Sequence, residues 1–474
     1  MKQWLTLLAW VIALTTLIPE ADATPLYMAR SGRTCDNCHS LPNTWFDPPE
    51  VWRRKCTLSC ASCHVDPNGG GLRNVGGRYY GRSTLPMYWA VERPLDDRTF
   101  EELREFLGPD NEPTSAPASG PAQPADRQMD PRPPGSPEPN AGPNWGRPLL
   151  GSSEMSWLDG RYGDLNADPL FQAGGDFRLG FWSAGPLIFP MQADFHAAAH
   201  PVEHLTLATT VGVRGDAEGF TATAEGDPPI EMRDVWLMTH EWPALSYARV
   251  GRFLPAFGHR VEDHTAYTRR PFGLSQEDPG NRVLGAEIGF TGNYPYASAM
   301  AFVPVERNNG GNPFDAAEGY GGALNVGYRH MGWSLGASAM LRNRPLDNGG
   351  DTLDGSVQWS FNPWYYWKDL PLTWLGEVAV GRLQRPFSGR KTTQIATYQT
   401  LSWTAKRGLA LQLRYDFWEP DREVIDDAIH RPGVAAEWII IPGVTLRVDL
   451  RVGIPEAGGG EPPADLFAQL HYWF

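Results

Sequence analysis

The stretch Leu409-Ala410-Leu411-Gln412-Leu413-Arg414-Tyr415-Asp416-Phe417 repeats with period two. Leu409, Leu411, Leu413, Tyr415 and Phe417 share one side, and Ala410, Gln412, Arg414 and Asp416 share the other. Successive side chains of a strand point to opposite faces, so this spacing predicts a β-strand with an apolar and a charged face. Leu446, Val448, Leu450 and Val452 alternate in the same way with Arg447, Asp449 and Arg451. So do Trp333, Leu335, Ala337, Ala339 and Leu341 with Ser334, Gly336, Ser338, Met340 and Arg342. Half-buried strands of a soluble sandwich show this alternation too.

Three further features favour a transmembrane barrel. The segments are about ten residues long, the length that crosses a bilayer when tilted. Aromatics gather at segment ends, as at Trp359, Trp364, Tyr365, Tyr366 and Trp367. The chain closes on Leu466, Ala468, Leu470, Tyr472 and Phe474 at alternate positions, which resembles the assembly signal of bacterial outer-membrane proteins. Counting such segments from residue 171 to 474 predicts about sixteen antiparallel strands, among them 245–258, 394–406 and 433–441. An even count puts both barrel ends on the periplasmic side, around an aqueous channel unless something fills it. The composition agrees: 12% aromatic residues with 19 Trp, 51 Gly, 43 Pro, and no internal apolar run near the ~20 residues of a spanning helix. A net charge of −14 argues against nucleic acid as a partner.

The chain opens with a secretory signal expected over residues 1–23. Lys2 supplies the positive region, Trp4 to Ile18 the apolar core, and Ala21-Asp22-Ala23 the cleavage site. Residues 24–108 hold all five cysteines and read as a small domain of helix and loop. Residues 109–148 are rich in Pro, Ser, Ala and Gly and read as an extended linker. Residues 149–474 are the barrel.

The small domain carries Cys35-Asp36-Asn37-Cys38-His39 and Cys60-Ala61-Ser62-Cys63-His64. Each reads as an attachment site for one c-type haem: two thiols for the vinyl thioethers, and a histidine for the iron. Cofactor binding is thus expected at Cys35, Cys38, Cys60 and Cys63, with His39 and His64 as proximal iron ligands. Zinc is the rival reading of CxxC pairs, but export and the histidine directly after each pair count against it. Five cysteines cannot all pair as disulfides, and Cys56 is the odd one. For a second axial ligand Met87 is the first candidate, Met28 the second, and Met129 lies in the linker. A lumen histidine, His196, His200, His204 or His264, is the alternative if this domain enters the barrel. The run Asp66-Pro67-Asn68-Gly69-Gly70-Gly71 must be a tight loop.

Signal peptide, CxxCH segment and C-terminal barrel together resemble the fused outer-membrane porin–cytochromes, some of which oxidise extracellular ferrous iron. The run Cys56 to Gly71 is similar to cytochrome segments of outer-membrane proteins in metal-reducing bacteria. Val250 to Gly258 is similar to a strand-turn of phosphate-selective-type porins. The iron-oxidising fusions carry one CxxCH and this chain carries two. The resemblance implies an outer-membrane electron conduit with two haems, embedded in lipid, between periplasmic cytochromes and an extracellular donor or acceptor, with iron oxidoreductase activity one form of it. The alternatives are a solute-transporting porin with a tethered periplasmic cytochrome, and a surface barrel with a haem sensor domain.

Overall fold

The computed structural model describes Cys60, residues 64–74 and, short loop stretches apart, residues 170–474. The signal segment, the first CxxCH motif, Cys56, Cys63, Met28, Met87, Met129, His264 and the linker lie outside the described residues.

The strands are β1 (Phe171–Trp182), β2 (Phe189–Val202), β3 (Leu205–Arg214), β4 (Glu231–Trp242), β5 (Ser246–Phe253), β6 (Val283–Thr291), β7 (Pro295–Pro304) and β8 (Tyr320–His330). They continue as β9 (Trp333–Asn343), β10 (Thr352–Phe361), β11 (Leu372–Gln384), β12 (Lys391–Lys406), β13 (Leu409–Glu419), β14 (Ile429–Ile441), β15 (Val444–Arg451), β16 (Ile454–Pro455) and β17 (Asp465–Trp473). Each long strand pairs antiparallel with its sequence neighbours, and β17 returns to β1 in register Asp176↔Trp473 to close the sheet. The two-residue β16 pairs with β14 beyond the end of β15 and extends that position, so sixteen strands make the wall. Closure leaves no edge with unpaired backbone groups, which a lipid environment requires.

Burial is inverted relative to a soluble sandwich. The apolar face of each strand is the open one: Ile288 is 65% exposed and Leu413 60%. The polar face is enclosed: Arg233, Glu377 and Asp416 are all 0% exposed. Among soluble proteins the charged face would meet water and the apolar face a core. Here the apolar faces form a continuous outer band, and the charges line a lumen. Trp242, Trp333, Trp374, Trp403 and Tyr472 stand exposed where strands meet short turns, with Trp359 and Trp374 edge to face at 5.7 Å. That is an interfacial aromatic girdle at the short-turn end, where Phe474 also lies, and short turns mark the periplasmic side.

Two boundaries depart from the periodicity for physical reasons. The expected segment 245–258 ends as strand at Phe253. Past it, the described residues between 254 and 282 leave the wall and fold inward. The expected segment 433–441 begins earlier, at Ile429, and runs through Pro432. Proline has no N–H for a ladder, but here only its carbonyl is needed on that side: it accepts from Val452 N–H at 2.9 Å.

A charge on the outer band tests the inverted burial. Leu413→Arg, midway along β13, is expected to cost about 2–4 kcal/mol of folding stability in lipid vesicles. Denaturant titration followed by Trp fluorescence measures it, and an unchanged midpoint would contradict a lipid-facing Leu413.

Candidate functional site in the barrel lumen

Among the described residues, two pieces of chain occupy the lumen. The first is the long β5–β6 connection. Its 3-10 turn Arg270–Phe272 closes on Gly273 at φ 63°, and Phe257, Phe272 and Leu274 are almost fully buried inside the barrel. It is tied to distant strands. Arg269 pairs with Glu377 of β11 at 2.7 Å, and Phe272 O accepts from Arg342 of β9 at 2.8 Å. Arg431 of β14 donates to Thr265 O at 2.6 Å, and Asp263 pairs with Arg414 of β13. Gly258 N–H reaches Ser338 Oγ at 2.9 Å, and a β-carbon at this φ of 59° would collide with the Glu377 carboxylate.

The second piece is residues 64–74, which begin at the histidine of the second CxxCH motif. They form a short hairpin: His64 bridges Arg73, and Val65 N–H donates to Leu72 O at 3.0 Å. Asp66 accepts from Asn68 N–H at 2.8 Å through its side chain and from Gly69 N–H at 2.9 Å through its carbonyl. Gly69, Gly70 and Gly71 then take φ of 84°, 82° and 62°, the left-handed run that only glycine sustains without strain. The tight loop expected from the sequence is therefore present.

The hairpin is held by charge. The Asp66 carboxylate pairs with Arg249 of β5 at 3.0 Å through Oδ1 and with Arg260 of the inward loop at 3.0 Å through Oδ2. Arg260 also donates to Gly69 O. Asn68 donates to Glu287 of β6 at 3.0 Å, and Glu287 in turn pairs with Arg249 at 3.1 Å and accepts from Tyr247 at 2.6 Å. At the base, the Arg73 guanidinium lies 3.6 Å over the Trp473 ring, and Leu72 packs where Gly174 has no side chain. Burial alone would raise the Asp66 pKa. The charges of Arg249 and Arg260, with the Asn68 N–H, outweigh it and lower the pKa from 3.8 to about 2.

Around the hairpin is a cavity of about 410 Å³, lined among others by Cys60, His64, Arg178, His196, Arg282 and Tyr296. This lies within the roughly 300–1,000 Å³ range of small-molecule and cofactor sites. His64 N–H donates to Cys60 O at 2.9 Å, a single turn that brings the thiol and the imidazole to the same cavity. A cysteine and a histidine one turn apart are the donor types of covalent haem attachment.

The remaining sequence candidates separate by position. His196 and His200 of β2 point inward and are buried at 7% and 4% exposure. His204 sits exposed at the β2–β3 turn, so it does not face the lumen as expected. The sequence marks Asp66 only as the start of a tight loop and gives no sign of Arg249, Arg260 or Glu287, because nothing in a local pattern reports a partner up to 219 positions away.

No family model matches the chain, and no curated protein matches it. Similar solved structures are outer-membrane proteins. The loop-deleted OmpT of Vibrio cholerae is 13% identical, with 64% of this chain and 99% of that one covered at a TM-score of 0.47. An anion-selective porin from Comamonas acidovorans is 11% identical over 64% and 99%, TM-score 0.44. OmpF of Salmonella typhi, solved with daunomycin, is 11% identical over 64% and 97%, TM-score 0.45. The chain is a sixteen-stranded outer-membrane β-barrel, and its own closed sheet and lipid-facing band carry that statement.

Because the folded pKa of Asp66 is depressed, its pairing stabilises the docked hairpin above the ordinary carboxylate value. That stabilisation fades as pH falls from about 4 through about 2. In planar bilayers, single-channel conductance is expected to stay flat from neutral pH to about 4 and rise below it. Asp66→Ala should show the raised conductance already at pH 7. Identical conductance in variant and parent would mean that the hairpin does not obstruct the pore.

Proposed function

We propose that this barrel is an outer-membrane electron conduit that carries two covalently bound c-type haems. Cys60 and Cys63 would hold one haem with His64 as proximal ligand; Cys35, Cys38 and His39 would hold the other, with Met87 the candidate second ligand from the same domain. The observation that carries this reading is that Cys60 and His64 line the lumen cavity on a hairpin ion-paired to the wall. A haem confined to the periplasm would face the full apolar band, ~25 Å tall. A haem in the lumen shortens that gap.

When bound, haem supplies one-electron redox chemistry. The chain supplies the housing. Arg178, ion-paired with Asp176 at 3.0 Å, and Arg282, 3.5 Å from Asp234, line the same cavity beside their carboxylates. The Asp66–Arg249–Glu287 network fixes the hairpin that presents His64. The inward β5–β6 loop narrows the lumen on the side of the hairpin that Arg260 contacts. Electrons would pass between a periplasmic cytochrome and an extracellular donor or acceptor, ferrous or ferric iron among them.

A second reading, a solute porin with a tethered cytochrome, draws support from the barrel class and from the arginines of the cavity wall. The two readings predict different traffic across the membrane. In intact cells, reduced haem should be discharged by a membrane-impermeant oxidant such as an insoluble iron oxide. Discharge by a permeant oxidant alone would exclude the conduit and leave the porin.

Attachment is tested separately. A haem stain of the denatured protein should halve when Cys60 and Cys63 are both replaced by Ser, and halve likewise for Cys35 and Cys38. An unstained parent protein would end both readings.

A further inference from the structure

The outer face of β11 and β12 is apolar along most of its height and ends in two cations. On β11, Trp374 and Val380 are exposed on the lipid side, and Arg382 has the same parity and is exposed too. On β12, Leu401 and Trp403 are the exposed set, and Lys391 shares their parity and is exposed. The two strands pair without a bulge, with Arg382 opposite Thr393 and Gln384 opposite Lys391. Arg382 and Lys391 are therefore diagonal neighbours on the outer face, roughly 7–8 Å apart at the backbone. One small anionic group can meet both side chains.

Their height on the wall is informative. Trp374 and Trp403 belong to the periplasmic girdle. Arg382 lies eight residues beyond Trp374, and Lys391 twelve residues from Trp403. At ~3.3 Å per residue and a tilt of ~40°, those spans are about 20 and about 30 Å along the membrane normal. The apolar band is ~25 Å tall. The two cations thus straddle its extracellular edge, where acyl chains give way to headgroups.

Their charge is not consumed by the protein. Arg390, next to Lys391, pairs with Asp421 at 3.2 Å and Glu423 at 2.9 Å. Arg382 and Lys391 form no ion pair among the described residues. Asp351 accepts from Asn343 Nδ2 at 2.9 Å and from Arg344 N–H at 3.3 Å, which turns it toward β9 and away from Lys391. Glu419 stands opposite Ile395, four residues along β12 from Lys391, or about 13 Å. Just inside the edge, Val380 and Leu353, the latter opposite Arg382, present exposed apolar side chains.

We propose that this edge of β11 and β12 binds an anionic lipid of the outer leaflet through its phosphate groups. The Arg382 guanidinium suits bidentate donation to a phosphate, and Lys391 adds a compact positive charge from the next strand. Val380 and Leu353 take the acyl chains below. The surface uses no residue of the lumen, so it stands apart from the haem reading.

The test titrates the full-length protein in detergent with lipid A, a bisphosphorylated glycolipid, and follows thermal unfolding by Trp fluorescence. The midpoint should rise with lipid A, and should not rise with the same glycolipid stripped of its phosphates or with inorganic phosphate alone. Replacing Arg382 and Lys391 together by Gln should raise the half-saturating lipid A concentration about twentyfold, and each single replacement about fivefold. The single variants serve if the double variant does not assemble. Arg382→Lys combined with Lys391→Arg keeps the charge and should stay within a few-fold of the parent. A parent midpoint that lipid A does not move, or an unchanged half-saturation in the glutamine variants, overturns the proposal. So does an equal response to inorganic phosphate or to the phosphate-free glycolipid.

Discussion

Lipid cannot hydrogen-bond a backbone, and the structure follows from that constraint. Every strand must find partners on both sides, so the sheet has to return on itself, which it does at Asp176↔Trp473. Once it is closed, the two faces of each strand meet different solvents. The apolar set goes to lipid. The set with Arg414, Asp416, Arg447 and Asp449 goes to a confined interior, where each charge needs a counter-charge. Arg447 pairs with Asp449 at 2.8 Å along one strand, and Arg431 with Asp416 at 3.3 Å across two. These pairs satisfy one another and also leave fixed points to which an inserted segment can attach. The inward loop and the hairpin both exploit such points.

That explains how a loop of polar and glycine residues comes to be ordered inside a wide barrel. Residues 64–74 are too short for a core: Val65 and Leu72 are their buried apolar residues. What orders them is one carboxylate between two guanidiniums and one amide on Glu287. Removing one partner of a buried pair strands the other charge, so such networks tolerate little change. The three glycines matter for the same reason. They let the backbone turn tightly enough for Gly69 O to meet Arg260 while Asp66 faces Arg249.

The wall was legible in the sequence because a strand's periodicity is local. Leu409 to Phe417 states its two faces within nine residues, and the final Leu466 to Phe474 states closure. What sequence could not decide was which face is wet, since a sandwich and a barrel share the pattern; the 60% exposure of Leu413 beside the buried Arg414 decides it. The end of β5 is hidden because Leu254-Pro255-Ala256-Phe257 is apolar enough to extend a strand, yet its apolar side chains pack within the lumen. Pro432 hid the start of β14 because its compatibility depends on a neighbour that supplies an N–H, Val452.

The lumen site was legible only in part. The CxxCH motif announces its own chemistry, and Asp66 to Gly71 announces a turn. Their position inside the barrel depends on pairings such as Asp66–Arg249 and Asn68–Glu287, which join residues far apart in the chain through the curvature of the sheet. Histidines at 196, 200, 204 and 264 look alike in sequence. Strand parity separates His204, which falls at a turn, from His196 and His200, which face inward. Parity cannot separate those two. The distinction lies in contacts: Thr206 bonds His200 Nδ1 at 2.9 Å and also His240 Nε2 at 2.8 Å, which ties His200 into a polar cluster among the strands. Thr210 engages His196 Nδ1 at 2.9 Å, and the His196 ring lies at the wall of the cavity that Cys60 and His64 share. The same strand thus sets one histidine in a polar cluster of the wall and the other at the edge of the lumen cavity.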